Sequence, residues 1–65
     1  MTAFEIYEIL KELKEKYGNP IPLRNIYEEL KKRGYSKWQV RASLKKLNNW
    51  KIKVKDFVSV EVVED

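Results

Sequence analysis

Gly34-Tyr35-Ser36-Lys37-Trp38-Gln39-Val40-Arg41-Ala42-Ser43-Leu44-Lys45-Lys46-Leu47 is the stretch that decides the fold. Ser36 followed three residues later by Gln39 matches a capping box, in which hydroxyl and carboxamide each satisfy a backbone N–H left open at a helix start. A helix is therefore expected from Lys37, with Val40, Leu44 and Leu47 on its inward side at helical spacing. Just upstream, Leu23, Ile26, Tyr27 and Leu30 form the inward stripe of another helix. That helix starts at Pro22 and ends at Gly34, after Lys31, Lys32 and Arg33 complement its carbonyl end.

Only Gly34-Tyr35-Ser36 separates the two, so the pair reads as a helix-turn-helix. Working outward toward the N-terminus, Thr2 and Glu5 match a further capping box, and Met1 ahead of it reads as a natural start. Ile6, Ile9, Leu10, Leu13 and Tyr17 then share one helical face, while Glu8, Lys11, Glu12, Lys14, Glu15 and Lys16 cover the rest. Phe4 and Tyr7 lie off that stripe, either leaning over the edge of the core or forming a self-association surface. Gly18 and Asn19 stop the helix before Pro20. Ile21, held between two prolines, is forced to an extended link able to pair briefly with a strand. The expected helices are about 3–17, 23–33 and 37–48.

From Trp50 the period changes from 3.6 to 2. Trp50, Ile52 and Val54 alternate with Lys51, Lys53 and Lys55, and Val58, Val60 and Val62 alternate with Ser59 and Glu61. Two strands are expected, about 50–54 and 58–63. A two-residue turn would place Glu61 on the apolar face opposite Trp50. A three-residue loop, Lys55-Asp56-Phe57, instead pairs Val54 with Val58, Ile52 with Val60 and Trp50 with Val62. It also sets Lys51 against Glu61 and Lys53 against Ser59, and it requires Asp56 in the left-handed position. Trp50 is thereby assigned to the core. The expected class is α+β, a single domain over residues 1–65.

Composition narrows the function. The chain has 65 residues, no cysteine and no histidine, so it lacks disulfides, thiolates and imidazoles for metal binding or catalysis. Its carboxylates lie on helix faces beside lysines, and no glycine-rich phosphate loop occurs, so no enzyme, cofactor or small-molecule substrate is expected. No apolar run reaches the roughly 18 residues of a membrane span and no leader opens the chain, so a cytoplasmic protein is expected. A charged fraction of 37%, mostly Lys and Glu, matches the bias of thermophile proteins and equally that of small basic domains.

Charge position is more telling than charge total. Residues 36–55 hold seven basic residues and no acid, whereas residues 1–35 hold seven against six, and residues 56–65 hold four acids and no base. The net charge of +4 thus conceals one strongly cationic segment, the kind of surface a phosphate backbone requires.

Helix, extended link, helix, tight turn, helix and two-stranded ribbon: in this order the chain resembles the winged helix DNA-binding domains, most closely the minimal archaeal and viral regulators. The resemblance covers about residues 2–63 and rests on element order and on Gly34–Ser36 through Val40, Leu44 and Leu47. It departs in having a very short wing loop and little chain after the second wing strand. It implies double-stranded DNA as partner, with the third helix in the major groove and the ribbon on the backbone, in transcriptional regulation or as a replication or chromatin accessory associated with the nucleoid.

The inward stripe of the third helix fixes its outward set: Trp38, Gln39, Arg41, Ala42, Lys45, Lys46 and Asn49. Arg41 suits guanine, Gln39 suits adenine, and Ala42 permits close approach. Lys37, Lys45 and Lys46 are expected on phosphates, with Lys53 and Lys55 of the ribbon, while Glu61 neutralises Lys51. Trp38 either folds back over the turn toward Tyr35 or the second helix, stacks on a sugar or base, or meets a protein partner. Phe57 is either a minor-groove wedge or packs against the ribbon's base. The ribbon lysines also serve to protect exposed strands from pairing. A homodimer is expected through Phe4, Tyr7 or the edge strand near Val62. The rival expectations are a protein–protein interaction module in a larger assembly and an RNA-binding protein.

Overall fold

The computed structural model describes residues 3–56 and 58–63. Its elements are α1 (Ala3–Tyr17), β1 (Ile21–Pro22), α2 (Leu23–Lys32), α3 (Lys37–Leu47), β2 (Ile52–Lys55) and β3 (Ser59–Val62). The strands form one antiparallel sheet in the order β1-β3-β2, so the class is α+β. Thr2, Phe57, Glu64 and Asp65, with the N-terminal capping box, the loop-tip side chain and the acidic end expected there, lie outside the described residues.

The helix ends follow local chemistry. Gly18 takes a φ of 91° and its N–H donates to the Lys14 carbonyl at 2.8 Å, closing α1. At the end of α2, Gly34 (φ 93°) donates to Lys31 O and Tyr35 N–H donates to Leu30 O, the paired bonds of a Schellman turn. Pro22 precedes α2 with no side-chain cap, and the Val58 carbonyl takes the Leu23 N–H at 2.8 Å instead. The hairpin thus satisfies one of the donors that a helix start leaves open.

Ile6, Leu10, Ile21, Ile26, Leu30 and Leu47 are fully enclosed, and Ile52 and Val60 close the core from the sheet. Two further residues join the core beyond the expected stripes. Tyr7 is only 6% exposed, because its ring is packed against the core with Lys11 and Lys51 over it at 5.1 and 5.8 Å. Ser43 is also buried, on the inward side of α3 beside Val40 and Leu47.

The ribbon is slipped by two residues from its expected register. Asp56 takes φ 50°, as anticipated, but the pairing runs on to Lys55 and Ser59, and Val58 N–H donates to Lys55 O. Ile52 faces Val62, Lys53 faces Glu61, Val54 faces Val60 and Lys55 faces Ser59. Side-chain faces survive because both registers keep the same alternation. The ends do not survive: Val58 and Trp50 are 69% and 65% exposed rather than buried. Trp50 leaves the ribbon because Asn49 is left-handed (φ 66°) and the Leu47 carbonyl accepts both Trp50 and Lys51 N–H. The β period therefore begins two residues later than the apolar pattern implies.

β3 is the central strand, which removes the expected free edge near Val62. Ile21 pairs with Val60, and beyond β1 the Asn19 side chain continues the ladder, accepting from Val62 N–H at 2.9 Å and donating to its carbonyl at 3.1 Å. The outer edge of β2 is closed similarly. Asn48 Oδ1 accepts from Val54 N–H, and Asn49 N–H donates to Ile52 O.

A polar tie joins α1 to α2. Glu29 Oε2 accepts from the Tyr17 hydroxyl at 2.6 Å and lies 3.1 Å from the Lys16 ammonium. The Tyr17 bond first, then Lys16, holds the Glu29 pKa below the ordinary carboxylate value. Glu29, chiefly, also raises the pKa values of Lys16 and Tyr17. Stability from the depressed carboxylate is present above its unfolded-state pKa and lost as pH falls through the folded value. Stability from the two raised groups is present below their unfolded-state pKa values and lost as pH rises through the folded ones. Tyr17→Phe is expected to move the acid unfolding midpoint to higher pH, measured as the urea midpoint against pH.

Candidate nucleic-acid interface

α3 begins at the expected cap. Gln39 N–H donates to Ser36 Oγ at 3.1 Å, and Ser36 N–H donates to Gln39 Oε1 at 2.9 Å. With Val40, Ser43, Leu44 and Leu47 inward, Lys37, Trp38, Arg41, Ala42, Lys45 and Lys46 are all exposed on α3, as the helical spacing requires, whereas Asn49, also exposed, lies past the helix end at φ 66° and not on the expected helical face. Trp38 is 77% exposed and does not fold back over the turn. Gln39 is half-buried with its carboxamide oxygen engaged by the cap, so its geometry is that of a capping group. An adenine contact through the same oxygen competes with that bond.

Lys37, Arg41 and Lys45 form one rim of an open groove of ≈ 640 Å³ between α3, the start of α2 and β2. Its floor is apolar, from Leu23, Leu44 and Val54, with Tyr27 beneath the Lys37 ammonium at 5.6 Å from the ring centroid. Asn48 completes the wall. Arg24 and Asn25 lie next to this groove, beside Val58 at the hairpin tip. Sequence reading missed Arg24, Tyr27 and Asn48 as neighbours of this groove. The spacing of Arg41, Lys45 and Asn48 places them on one helical face and was a usable signal. Nothing local announced Arg24, because the hairpin reaches it only through the fold.

On the ribbon, the register change reassigns the acid. Glu61 Oε1 lies 3.3 Å from Lys55 Nζ, so Lys55 is the lysine it neutralises, not Lys51. Lys53 is exposed, and Lys51 lies half-buried against the Tyr7 and Trp50 rings at 5.8 and 5.3 Å. None of Lys37, Arg41, Lys45, Lys46 and Lys53 forms an ion pair with a described residue. The described acids that do pair are on α1, α2 and β3.

Among the described residues no group of three or more metal-ligating side chains could hold an ion, and no helix is long and apolar enough to cross a membrane. Comparison with family models, curated proteins and solved structures finds no match to this chain.

Proposed function

We propose that this chain is a winged helix protein that binds double-stranded DNA, with α3 in the major groove and the β2–β3 hairpin along the backbone. One observation carries the reading: α3 presents Lys37, Arg41, Lys45 and Lys46 on an exposed face, in a stretch from Ser36 to Lys55 that holds no acid. The element order and the hairpin beside α3 support the winged helix assignment. Arg41 is the sequence-reading side chain, and Ala42 beside it lets the helix approach base edges. Lys37, Lys45, Lys46 and Lys53 neutralise phosphates, with Lys55 weakened in that role by Glu61. Asn49 extends the contact at the far end of the helix.

A lone module of this size covers only roughly 600–1,000 Å² of DNA. Useful selectivity therefore calls for a dimer on a symmetric site or for several copies along the duplex. With Tyr7 buried and the Val62 edge closed, Phe4, 56% exposed, is the remaining part of the expected dimer surface. The role that follows is in transcription, or as a replication or chromatin accessory, inside the cell with its DNA.

Arg41 and Gln39 separate reading from scaffolding. Arg41→Ala is expected to relax preference at one base pair by about 1–3 kcal/mol in a randomised-duplex selection. Gln39→Ala is expected to lower stability by about 1 kcal/mol through the lost cap. It should weaken all sequences alike.

The exposed Trp38 favours one rival, a protein-docking module anchored by that indole. In that case Trp38→Ala abolishes the complex and leaves DNA affinity unchanged. RNA is tested by competing duplex DNA against structured RNA of equal charge. Tighter binding of the RNA would overturn the DNA reading.

A further inference from the structure

We infer that the groove between α3, the start of α2 and β2 docks an acidic amphipathic helix of a partner protein, laid along α3, and that this partner and duplex DNA exclude one another. The docking stands without the DNA reading, whereas the exclusion rests on it.

The groove joins an apolar floor to a rim of donors. Leu23, Tyr27 and Val54 are half-buried, packed on the core from one side and lining the groove on the other, and Leu44 completes the floor. Along the rim Lys37, Arg41 and Lys45 stand about one helical turn apart, in a row roughly 12 Å long. Lys37 is partly engaged over the Tyr27 ring at 5.6 Å, so Arg41 and Lys45 are the principal rim cations. Both are exposed and form no ion pair with a described residue. No acid lines the groove. Asn48 has its carboxamide oxygen engaged by Val54 N–H at 3.0 Å, which leaves it a donor through the amide nitrogen.

These features select the occupant. It must bring several acceptors in a row for the rim and an apolar ridge for the floor. A phosphate backbone supplies the first and not the second, because a charged strand laid over Leu23, Tyr27 and Val54 gives them no apolar surface to pack against. A single-headed anionic amphiphile meets one rim cation and leaves the next without a partner. A helix with carboxylates four residues apart matches the row turn for turn, since both repeat about every 6 Å. Its apolar face then enters the groove, the usual way in which an amphipathic helix is recognised. Apolar burial supplies affinity, and the charge row selects an acidic partner over a basic one. A second copy of this chain is the poorer occupant, because Glu8, Glu12 and Glu29 are already held by Lys11, Arg33 and Lys16.

The test uses the whole chain and two labelled peptides of about 16 residues, long enough to form a helix. One carries leucines along one helical face with glutamates on its borders; the other has the same composition scrambled so that the two do not segregate. The native chain is expected to bind the amphipathic peptide about tenfold or more tightly than the scrambled one, and unlabelled duplex is expected to displace it. Leu23→Gln and Val54→Thr should each lower affinity for the amphipathic peptide by about threefold or more, with duplex affinity held within about twofold. Arg41→Ala should weaken the peptide as well as the duplex. Circular dichroism verifies that each variant is folded. Equal affinity for the two peptides overturns the docking groove and leaves duplex binding standing. Floor variants that lose peptide and duplex equally also overturn it, because DNA then covers the floor. An Arg41→Ala chain that binds the amphipathic peptide as the native chain does overturns it too. Peptide binding without duplex binding supports the groove and overturns the DNA reading.

Discussion

Reversing the charge of two lysines, Lys45→Glu with Lys46→Glu, is expected to lower duplex affinity by about a hundredfold or more near 0.1 M salt. Each phosphate neutralised by a lysine releases a condensed counterion, and each such contact contributes about 0.9 to the slope of log affinity against log salt. Losing two contacts removes about 2 from that slope, and the new carboxylates add repulsion. Both side chains are exposed on the last turn of α3 and neither holds the core together. The fold is expected to survive, as circular dichroism will show. Lys31→Glu with Lys32→Glu is the matched control: the change in net charge is the same, but it sits at the end of α2. Equal losses in the two double variants would mean that affinity follows net charge alone and that α3 is not the surface.

The largest stability effect is expected from Ile21→Ala. Ile21 is fully enclosed and is the single buried residue of β1, packed between the helices and Val60 of β3. Truncating an enclosed isoleucine costs about 2–5 kcal/mol, including the cavity left behind. A chain of this length is stabilised by only about 3–10 kcal/mol in total. A large fall in the thermal midpoint is therefore expected, with a substantial unfolded population at room temperature. Val58→Thr, at a position 69% exposed, is expected to change stability by no more than about 0.5 kcal/mol. Its contrast with Ile21→Ala tests the observed register, because the alternative register buries Val58 against Val54.

What was legible in the sequence was local. The Ser36–Gln39 capping box, Gly34 after a basic turn, and Ile21 between two prolines each specify backbone geometry within a few residues, and each stands in the structure. The outward face of α3 was legible for the same reason, since an inward stripe at helical spacing determines its complement. The misreadings came from contacts distant in sequence or from a turn hidden in an apolar pattern. Tyr7, at the border of its helical stripe, was open to two readings, and the structure turns it into the core with Lys51 over its ring. Asn19 looked only like a helix stop, yet its side chain completes a sheet 43 residues away. Trp50 continued the alternation of Ile52 and Val54, but a left-handed Asn49 turns the chain first. The two-residue slip in the hairpin then set Glu61 opposite Lys53, with its carboxylate on Lys55 and not on Lys51. Gln39 was assigned two roles in the sequence, and the structure shows its oxygen engaged in capping.

The most direct test of the account is the affinity of the native chain for a labelled random-sequence duplex at several salt concentrations. With about six lysines and arginines on phosphates, log affinity is expected to fall against log salt with a slope near −5. A folded protein that fails to bind duplex at low salt, or binds with a slope near zero, would contradict the assignment of α3 as a DNA surface.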